Sequence, residues 1–492
     1  METSSRIPVP STEVQKHNSS SDCWIVVHSK VYDVTEFLTE HPGGSAIILK
    51  YAGADATSAY DSVHAPGIIE DTLPPAKMIG PFNQVTSFET QPRDSEPAQT
   101  PTISSPENDE KPPIHKLISA YDFEALAAAT FTPKAWAFYS SAATDLVTHT
   151  ANRNFFRRLM FRPRVMRNVK DVSTRRSILG FNNEVPFFIS PAAMARLAHP
   201  EGELALARGA AREGMAYCVS SNASFPLASI INAGVDDQTF FLQLYVNSER
   251  EKTAILLQKA KELGIRAIFV TVDAHVPGKR EADERIAAEA VASPVSGAVA
   301  SNDKKGGGMG RLMAQYVDKT LSWDDIPWIR ETSQLPIVLK GIQSAADAMK
   351  AVACGVDGIM LSNHGGRSLD TAQPSMLTLL ELHRICPDIF GKVEIYIDGG
   401  VTRGADILKA IALGATAVGV GRPYLYSLAY GDEGVSHLTQ ILKDELETSM
   451  RLSGITDVDQ AHPGLINTQD VDHLVCSTER HPYITWQPKA KI

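Results

Sequence analysis

The chain has 492 residues, which is too long for one compact core and predicts two or three domains. A hydrophobic share of 43% and a charged share of 21% are those of an ordinary soluble protein, and a net charge of −10 disfavours a nucleic-acid-binding face. No apolar run approaches the length of a membrane span, and the five cysteines form no C-x-x-C pair that would predict a zinc site.

The first segment carries two histidines in glycine-containing motifs. His41 opens HPGG after the compact pattern CWIVVHSKVYDVTEFL, and His64 opens HAPG. Two neutral imidazoles from separate elements can fill both axial positions of a haem iron, which then suits single-electron transfer. The alternative interpretation is a simple turn with two surface histidines, because short motifs match by chance.

The pattern around these histidines resembles the cytochrome b5 domain over residues 5–83. Trp24 and a predicted strand pair around Val27 and Tyr32 carry the resemblance together with HPGG and HAPG. It implies a small α+β domain that binds haem b, with His41 and His64 as the axial iron ligands.

A change of composition predicts the domain boundaries. Residues 84–113 are rich in Pro, Ser, Thr and acidic residues and are expected to form a flexible, extended linker. Residues 114–476 then form the second domain, and residues 477–492 a C-terminal tail. The N-terminal sequence shows no signal or transit pattern, so the cytosol is the expected location.

The second domain is predicted to be a (β/α)₈ TIM barrel, which makes the chain an α/β protein. Short β-branched or aromatic runs alternate eight times with amphipathic segments such as SEREKTAILLQKAKELGI. A segment from about Glu281 to Leu321 interrupts the series and is expected to form a mobile excursion over the barrel mouth. The eight strands are predicted at Phe187–Ser190, Tyr217–Ser221, Phe240–Tyr245, Ala267–Asp273, Pro336–Lys340, Gly358–Asn363, Glu394–Gly399 and Ala417–Arg422.

The ends of these strands carry acids, bases, amides and hydroxyls, at the face where TIM barrels place active sites. In LSNHGGRSLD, the His364 imidazole suits a general base and the Arg367 guanidinium a carboxylate clamp. Asp273 could hold the resulting imidazolium, and Lys340 could stabilise a reduced cofactor. DGGVTRGAD and GVGRP, after the last two strands, are typical of a phosphate site.

Taken together, residues 115–475 resemble the FMN-dependent 2-hydroxy-acid dehydrogenase family, through QLYV, FVTVDAHVPGKRE, LPIVLKG, SNHGGR, IDGGVTRG and GRP. With the haem domain in front, the chain resembles the cytochrome-type L-lactate dehydrogenases, or flavocytochromes b2. The resemblance implies that His364 is the base and Asp273 its partner, that Arg367 binds the carboxylate, that Tyr245 meets the hydroxyl and that Arg280 flanks the site. The residues implied around FMN are Ser220, Gln243, Thr271, Lys340, Asp398, Gly400, Arg403, Gly421 and Arg422.

The resemblance also implies the reaction and the partners. A 2-hydroxy acid is oxidised to a 2-keto acid, and the electrons pass from FMN to haem and then to an external acceptor such as cytochrome c. The family further implies a homotetramer and offers the mitochondrial intermembrane space as an alternative location.

Three positions depart from the family pattern. Phe138 replaces a tyrosine that helps to hold the substrate carboxylate, and Asn222 replaces an apolar residue that faces the substrate side chain. Thr402 replaces the first of two arginines, so phosphate binding should depend more on Arg403, Arg422 and main-chain amides. These changes favour a larger or more polar 2-hydroxy acid than lactate.

Three other functions compete with the dehydrogenase. A flavin oxidase would pass electrons to oxygen, and a redox scaffold would keep both cofactors without turnover. An FMN isomerase on the same barrel would leave the haem domain unexplained. The His364–Asp273–Arg367 set and the fused haem domain favour the dehydrogenase.

Overall fold

In the computed structural model, the chain separates into two compact units, residues 1–111 and residues 112–492. The structure describes residues 8–39, 41, 45–57, 60, 69, 72–83, 111–286, 291–297, 299–300 and 308–476. His64, the predicted linker up to residue 110 and the predicted tail from residue 477 lie outside these residues. The predicted domain boundaries therefore stay predictions.

The first unit is built on a five-stranded sheet, in the order β1-β5-β4-β3-β2. The predicted strand pair is the β3–β4 hairpin, in which Ile25 pairs with Tyr32. Positive φ angles at His28 and Ser29 suit the tight turn that joins the two strands. The strands are Val9–Pro10 (β1), Asn18–Ser19 (β2), Asp22–Val27 (β3), Lys30–Asp33 (β4) and Met78–Asn83 (β5), and the helices are Ser11–Val14 (α1) and Ser45–Leu49 (α2).

His41 follows the 3₁₀ turn Glu36–Thr39 in this unit. Its amide donates a hydrogen bond to the Phe37 carbonyl at 3.0 Å, and its ring meets the Phe37 ring edge-on, with centroids 5.7 Å apart. The hairpin packs its apolar face into a core that includes Val27, Tyr32 and Leu38. His41 is therefore linked to this core through Phe37, which packs against it.

The second unit contains a closed barrel of eight parallel strands, which confirms the predicted fold. All eight predicted strands are present, and only their ends differ. Lys340 was predicted to end its strand, but that strand continues to Ile342 across a register shift, so Lys340 lies inside it. The barrel strands are Phe187–Ile189 (β9), Tyr217–Ser220 (β10), Phe240–Leu244 (β11), Ile268–Thr271 (β12), Ile337–Ile342 (β15), Gly358–Leu361 (β16), Glu394–Ile397 (β17) and Ala417–Val420 (β18).

Helices surround the barrel and three more precede it. Those before it are Ala120–Thr130 (α3), Pro133–Ser140 (α4) and Val147–Arg158 (α5). Those that follow are Gly202–Arg212 (α6), Leu227–Asn232 (α7), Arg250–Glu262 (α8), Glu281–Glu284 (α9), Met309–Met313 (α10), Ile326–Ser333 (α11), Ala345–Ala353 (α12), Ser375–Ile385 (α13), Gly404–Ala412 (α14), Arg422–Ser427 (α15) and Gly431–Ser453 (α16). Six short strands lie outside the barrel among the described residues of this unit. They are Met160–Phe161 (β6), Arg176–Ile178 (β7), Phe181–Asn183 (β8), Val291–Ala292 (β13), Val299–Ala300 (β14) and Ile466–Asn467 (β19), which pairs with β6.

Strand alternation gives the barrel two apolar layers. Side chains such as Phe187, Leu242 and Ile395 face the helices in the larger core. Their neighbours Phe188, Phe241, Phe269 and Tyr396 belong to a separate buried cluster inside the barrel. Because side chains along a strand alternate between faces, the residue two positions after each of these interior side chains also faces inward.

Within the described residues, no helix is long and apolar enough to cross a membrane.

Candidate active site

A ring of mostly polar residues lies above the apolar interior, at the carboxyl ends of the barrel strands. Each strand supplies one member, two positions after its interior apolar side chain. Ser220 donates to Gln243 at 3.1 Å, and Gln243 donates to Thr271 at 2.9 Å. The ring consists of Ser190, Ser220, Gln243, Thr271, Lys340, Ser362, Asp398 and Gly419, and all of these except Ser362 line the floor of a cavity.

Lys340 is the cation in this floor. Its Nζ donates to Ser362 Oγ at 2.9 Å and lies 3.2 Å from Asp398 Oδ2. Burial lowers the pKa of Lys340, but the charges of Asp398 and Asp273 outweigh burial and raise it above its ordinary value. The lysine is therefore held as a fixed positive charge beneath the cavity.

A buried imidazole–carboxylate pair stands at one side of the cavity. Asp273, whose side chain is fully buried, faces His364, with 2.9 Å between Oδ1 and Nδ1. The other ring nitrogen, Nε2, lies 3.1 Å from the Tyr245 hydroxyl. With Nδ1–H donating to Asp273, the Nε2 lone pair is directed toward Tyr245 and the cavity.

The sequence His-Gly-Gly produces this placement. His364, Gly365 and Gly366 all have positive φ, at 59°, 63° and 78°. Glycine suits the last position because a Cβ there would lie 2.7 Å from the His149 amide nitrogen. The turn directs His364 into the cavity and starts the segment that carries Arg367.

Burial controls the charge of the pair. It lowers the pKa of His364, and Lys340 and Arg280 act in the same direction while Asp273 opposes them. Burial would raise the pKa of Asp273, but the charges of His364 and Lys340 keep it below its ordinary value. At neutral pH the site therefore holds an ionised carboxylate beside a neutral imidazole, which can accept a proton.

Two guanidinium groups stand on the same side. Arg367 lies 5.0 Å over the Phe138 ring, donates through Nη2 to the Phe138 carbonyl and has no partner for its buried Nε within the described chain. Arg280 Nε donates to the Arg367 carbonyl at 3.4 Å. Burial, followed by the repulsion of Arg280 and Arg422, holds the pKa of Arg367 well below its ordinary value. This end of the cavity therefore attracts an anion.

The opposite end is lined by glycines and Arg422. A Cβ on Gly400 would lie 2.4 Å from the Asn152 carbonyl carbon, so only glycine allows α5 to approach so closely. Arg422 donates to the carbonyls of Tyr139, Ser141 and Gly365 at 3.0 to 3.1 Å. Exposed amides and a fixed cation are suited to a phosphate group.

Nearly all the residues that the sequence predicted for the site line this one cavity. Two predicted residues in the described part of the barrel, Asp273 and Arg403, do not line it. Asp273 lies behind His364. Arg403 Nη1 pairs with Glu445 at 2.6 Å instead. The predicted residues that line the cavity are Ser220, Gln243, Tyr245, Thr271, Arg280, Lys340, His364, Arg367, Asp398, Gly400, Gly421 and Arg422.

Sequence reasoning missed five polar residues that line the cavity. Glu124, His149 and Arg153 come from helices before the barrel, so the strand-end rule could not find them. Ser190 could have been found by its position two residues after Phe188, and Tyr426 by its position one helical turn after Arg422.

Comparison with known proteins shows which protein families this chain matches. Residues 127–468 match the model of the FMN-dependent dehydrogenase family, and residues 10–83 match that of the cytochrome b5-like haem/steroid-binding domain. The chain belongs to the FMN-dependent dehydrogenase family. The predictions of a flavin-dependent oxidoreductase, of a fused haem domain and of FMN and haem b as cofactors are confirmed.

Relatives of this chain include a cytochrome-type dehydrogenase and an oxidase. L-lactate dehydrogenase (cytochrome) of Wickerhamomyces anomalus is 40% identical, over 93% of this chain and 79% of that protein. A peroxisomal (S)-2-hydroxyacid oxidase of Arabidopsis thaliana is 38% identical, over 73% of this chain and 98% of that protein. A flavocytochrome b2 variant superposes with a TM-score of 0.68 at 36% identity, over 79% of this chain and 96% of that chain.

The cavity of this FMN-dependent dehydrogenase fits its cofactor. Four buried polar atoms that line it have no partner within the described residues: Ser190 Oγ, Arg367 Nε, Asp398 Oδ1 and Tyr426 OH. Buried polar atoms are rarely left unpaired, so these atoms indicate a polar ligand. The polar floor with Lys340 and the glycine end with Arg422 match the ring and the phosphate of FMN.

Proposed function

We propose that this chain oxidises a 2-hydroxy acid to the corresponding 2-keto acid. The observation that carries the proposal is the placement of one neutral imidazole and two buried guanidinium groups on one side of a cavity with a polar floor. A 2-hydroxy acid carries a carboxylate next to the carbon that is oxidised. Its oxidation therefore needs cations that bind the carboxylate and a base close to the reacting carbon.

Arg367 and Arg280 bind the substrate carboxylate. Arg367 keeps its unpartnered Nε for the task, and Phe138, which lacks a hydroxyl, contributes only its carbonyl and ring to the position of the guanidinium. Tyr245 contacts the substrate hydroxyl, and its position 3.1 Å from His364 Nε2 places that hydroxyl next to the base.

His364 Nε2 receives one of the two protons that the substrate releases. Asp273 stabilises the imidazolium that forms, because its carboxylate is fully buried and 2.9 Å from Nδ1. When bound, FMN supplies the two-electron acceptor and haem b the one-electron relay to an external acceptor.

The residues that would hold FMN divide between the floor and the glycine end. Ser220, Gln243, Thr271, Lys340 and Asp398 offer hydrogen bonds and one positive charge to the ring, and Gly400, Gly421 and Arg422 receive the phosphate. His41 and His64 are the proposed haem ligands, although His64 lies outside the described residues.

A dehydrogenase is favoured over an oxidase by the haem domain. The cytochrome-type relative matches 93% of the chain, whereas the oxidase relative matches 73%. Cytochrome c is the proposed external acceptor. A homotetramer and a location in the cytosol or the mitochondrial intermembrane space stay predictions.

Absorption spectroscopy on the full-length protein tests the function. Adding an accepted 2-hydroxy acid without oxygen should bleach the flavin band and then produce the bands of reduced b-type haem. Stoichiometric peroxide in air, with the haem left oxidised, would favour the oxidase instead. A flavin band unchanged by any 2-hydroxy acid would contradict both.

The substrate side chain is proposed to be polar. Asn222 is buried and lines the cavity, and its Oδ1 accepts a hydrogen bond from the Tyr316 hydroxyl at 2.8 Å. Its Nδ2 has no hydrogen-bond partner among the described residues and is left as a donor. A substrate with a hydrogen-bond acceptor on its side chain would satisfy this amide.

The variant Asn222→Leu tests this specificity. It should lower the ratio of kcat/KM for polar over apolar 2-hydroxy acids by about tenfold, the effect of one hydrogen bond. Steady-state kinetics with a matched pair of substrates, one polar and one apolar of equal length, gives the ratio. Tyr316→Phe keeps the amide and should change the ratio less; L-lactate as the best wild-type substrate by a wide margin would refute the proposal.

A further inference from the structure

The glycine end of the cavity, where the FMN phosphate is proposed to bind, has fewer available cations than the sequence indicates. Arg403 is paired with Glu445 and does not line the cavity, and Thr402 presents a neutral hydroxyl that hydrogen-bonds with Tyr121 OH at 3.0 Å. Arg422 lines the cavity but already donates to three carbonyl groups. A phosphate with nearly two negative charges would therefore meet a single, already engaged guanidinium.

Arg153 supplies a second cation at this place. It lies on α5, and its main-chain nitrogen would be 2.7 Å from a Cβ on Gly400, so helix and glycine turn are in direct contact. Its side chain lines the same cavity as Gly400, Thr402 and Arg422. Among the described residues only its Nη2 is hydrogen-bonded, to Glu124 at 2.8 Å, which leaves Nε and Nη1 as donors.

The pKa of His149, which lies one helical turn before Arg153, indicates that Arg153 and Arg422 act on the same region of the cavity. Burial lowers the pKa of His149 to about 4, and the charges of Arg422 and Arg153 contribute to the shift. The pKa of Arg422 is lowered by burial and also, in part, by Arg153. Both guanidinium groups thus act on one region, where Glu124 offsets part of the positive charge and a bound anion would offset more of it.

We propose that Arg153 is the second guanidinium that binds the FMN phosphate in this chain, and that Glu124 positions it. Arg153 provides the charge that Thr402 lacks and that Arg403 directs to Glu445. The inference rests on the proposed placement of the FMN phosphate at the glycine end.

Flavin titration of the full-length protein, stripped of FMN, tests the inference. Fluorescence quenching gives the dissociation constants of FMN and of riboflavin, which lacks the phosphate. Arg153→Gln should weaken FMN binding by about ten- to a hundredfold and leave riboflavin binding within about twofold. Arg158→Gln is the matched control, because it removes the same charge from the same helix at an exposed pair with Asp470. It should change neither constant by more than about twofold.

The two flavins separate the possible failures. Unchanged FMN affinity in Arg153→Gln, or an equal loss for both flavins, would overturn the role of Arg153 while the proposed function stands. A wild-type protein that binds FMN no more tightly than riboflavin would overturn the placement of the phosphate, and the inference with it. Thermal melting confirms that the variant protein is folded, as expected for a side chain that is 29% exposed.

Discussion

Replacement of His364 by Gln should slow flavin reduction by the substrate about 10²–10⁴-fold, the usual contribution of a general base. Glutamine keeps a hydrogen-bonding side chain next to Tyr245 and Asp273 but cannot accept a proton at neutral pH. Anaerobic stopped-flow absorbance measures the step directly, before any electron reaches the haem. The flavin and haem spectra of the oxidised variant should equal those of the wild type.

The pH dependence of the wild type provides an independent check. A base must be neutral to act, so the rate falls when the pH drops through the pKa of His364. Burial lowers that pKa, so the acid limb of kcat/KM should lie below the ordinary histidine value of about 6.5.

Asp273→Asn is the matched variant for this check. Because Asp273 raises the pKa of His364, its removal should move the acid limb to still lower pH and slow the reaction, since the imidazolium loses its counter-ion. A limb that moves to higher pH, or a His364→Gln variant within tenfold of the wild-type rate, would contradict the assigned roles.

The barrel and its floor follow from local sequence, and this explains why they could be predicted. Runs such as FFIS, FFLQ and FVTVD place apolar residues on both faces of a strand and end in a polar residue. In a parallel barrel all those ends meet at one face, so Gln243, Thr271 and Asp398 converge without further information. Lys340 was assigned correctly to this face, although its strand continues for two more residues past a bulge at Gly341.

Side-chain pairing between distant segments could not be predicted. Arg403 follows a glycine pair at a strand end, yet its guanidinium is held by Glu445 on α16. Arg153 and His149 lie on a helix before the barrel, and the tight contacts of α5 with Gly366 and Gly400 bring them to the cavity. Which cation reaches a phosphate is thus decided by helix packing, which the strand-end rule does not describe.

Replacement of Arg367 by Gln should reduce kcat/KM by about 10²–10³-fold, mainly through KM, and should weaken binding of the 2-keto acid product. Removing one partner of a buried ion pair costs about 2–5 kcal/mol in binding, and Arg280 retains only part of the attraction. Product inhibition and substrate kinetics measure the loss. Arg175→Gln, an exposed pair with Glu184, controls for the change in net charge.

The Arg367→Gln variant without substrate should have a melting temperature no lower than that of the wild type. This result separates a binding role from a structural one. Arg367 is buried beside Arg280 and Arg422, and this setting disfavours its charge enough to hold its pKa well below the ordinary value. A residue kept for packing would lower the melting temperature when replaced. A residue kept for an anionic substrate is under electrostatic strain until that substrate arrives, because Asp283 offsets only part of its charge and the substrate carboxylate adds the missing compensation. A large drop in melting temperature with unchanged product binding would therefore assign Arg367 to the fold rather than to the substrate.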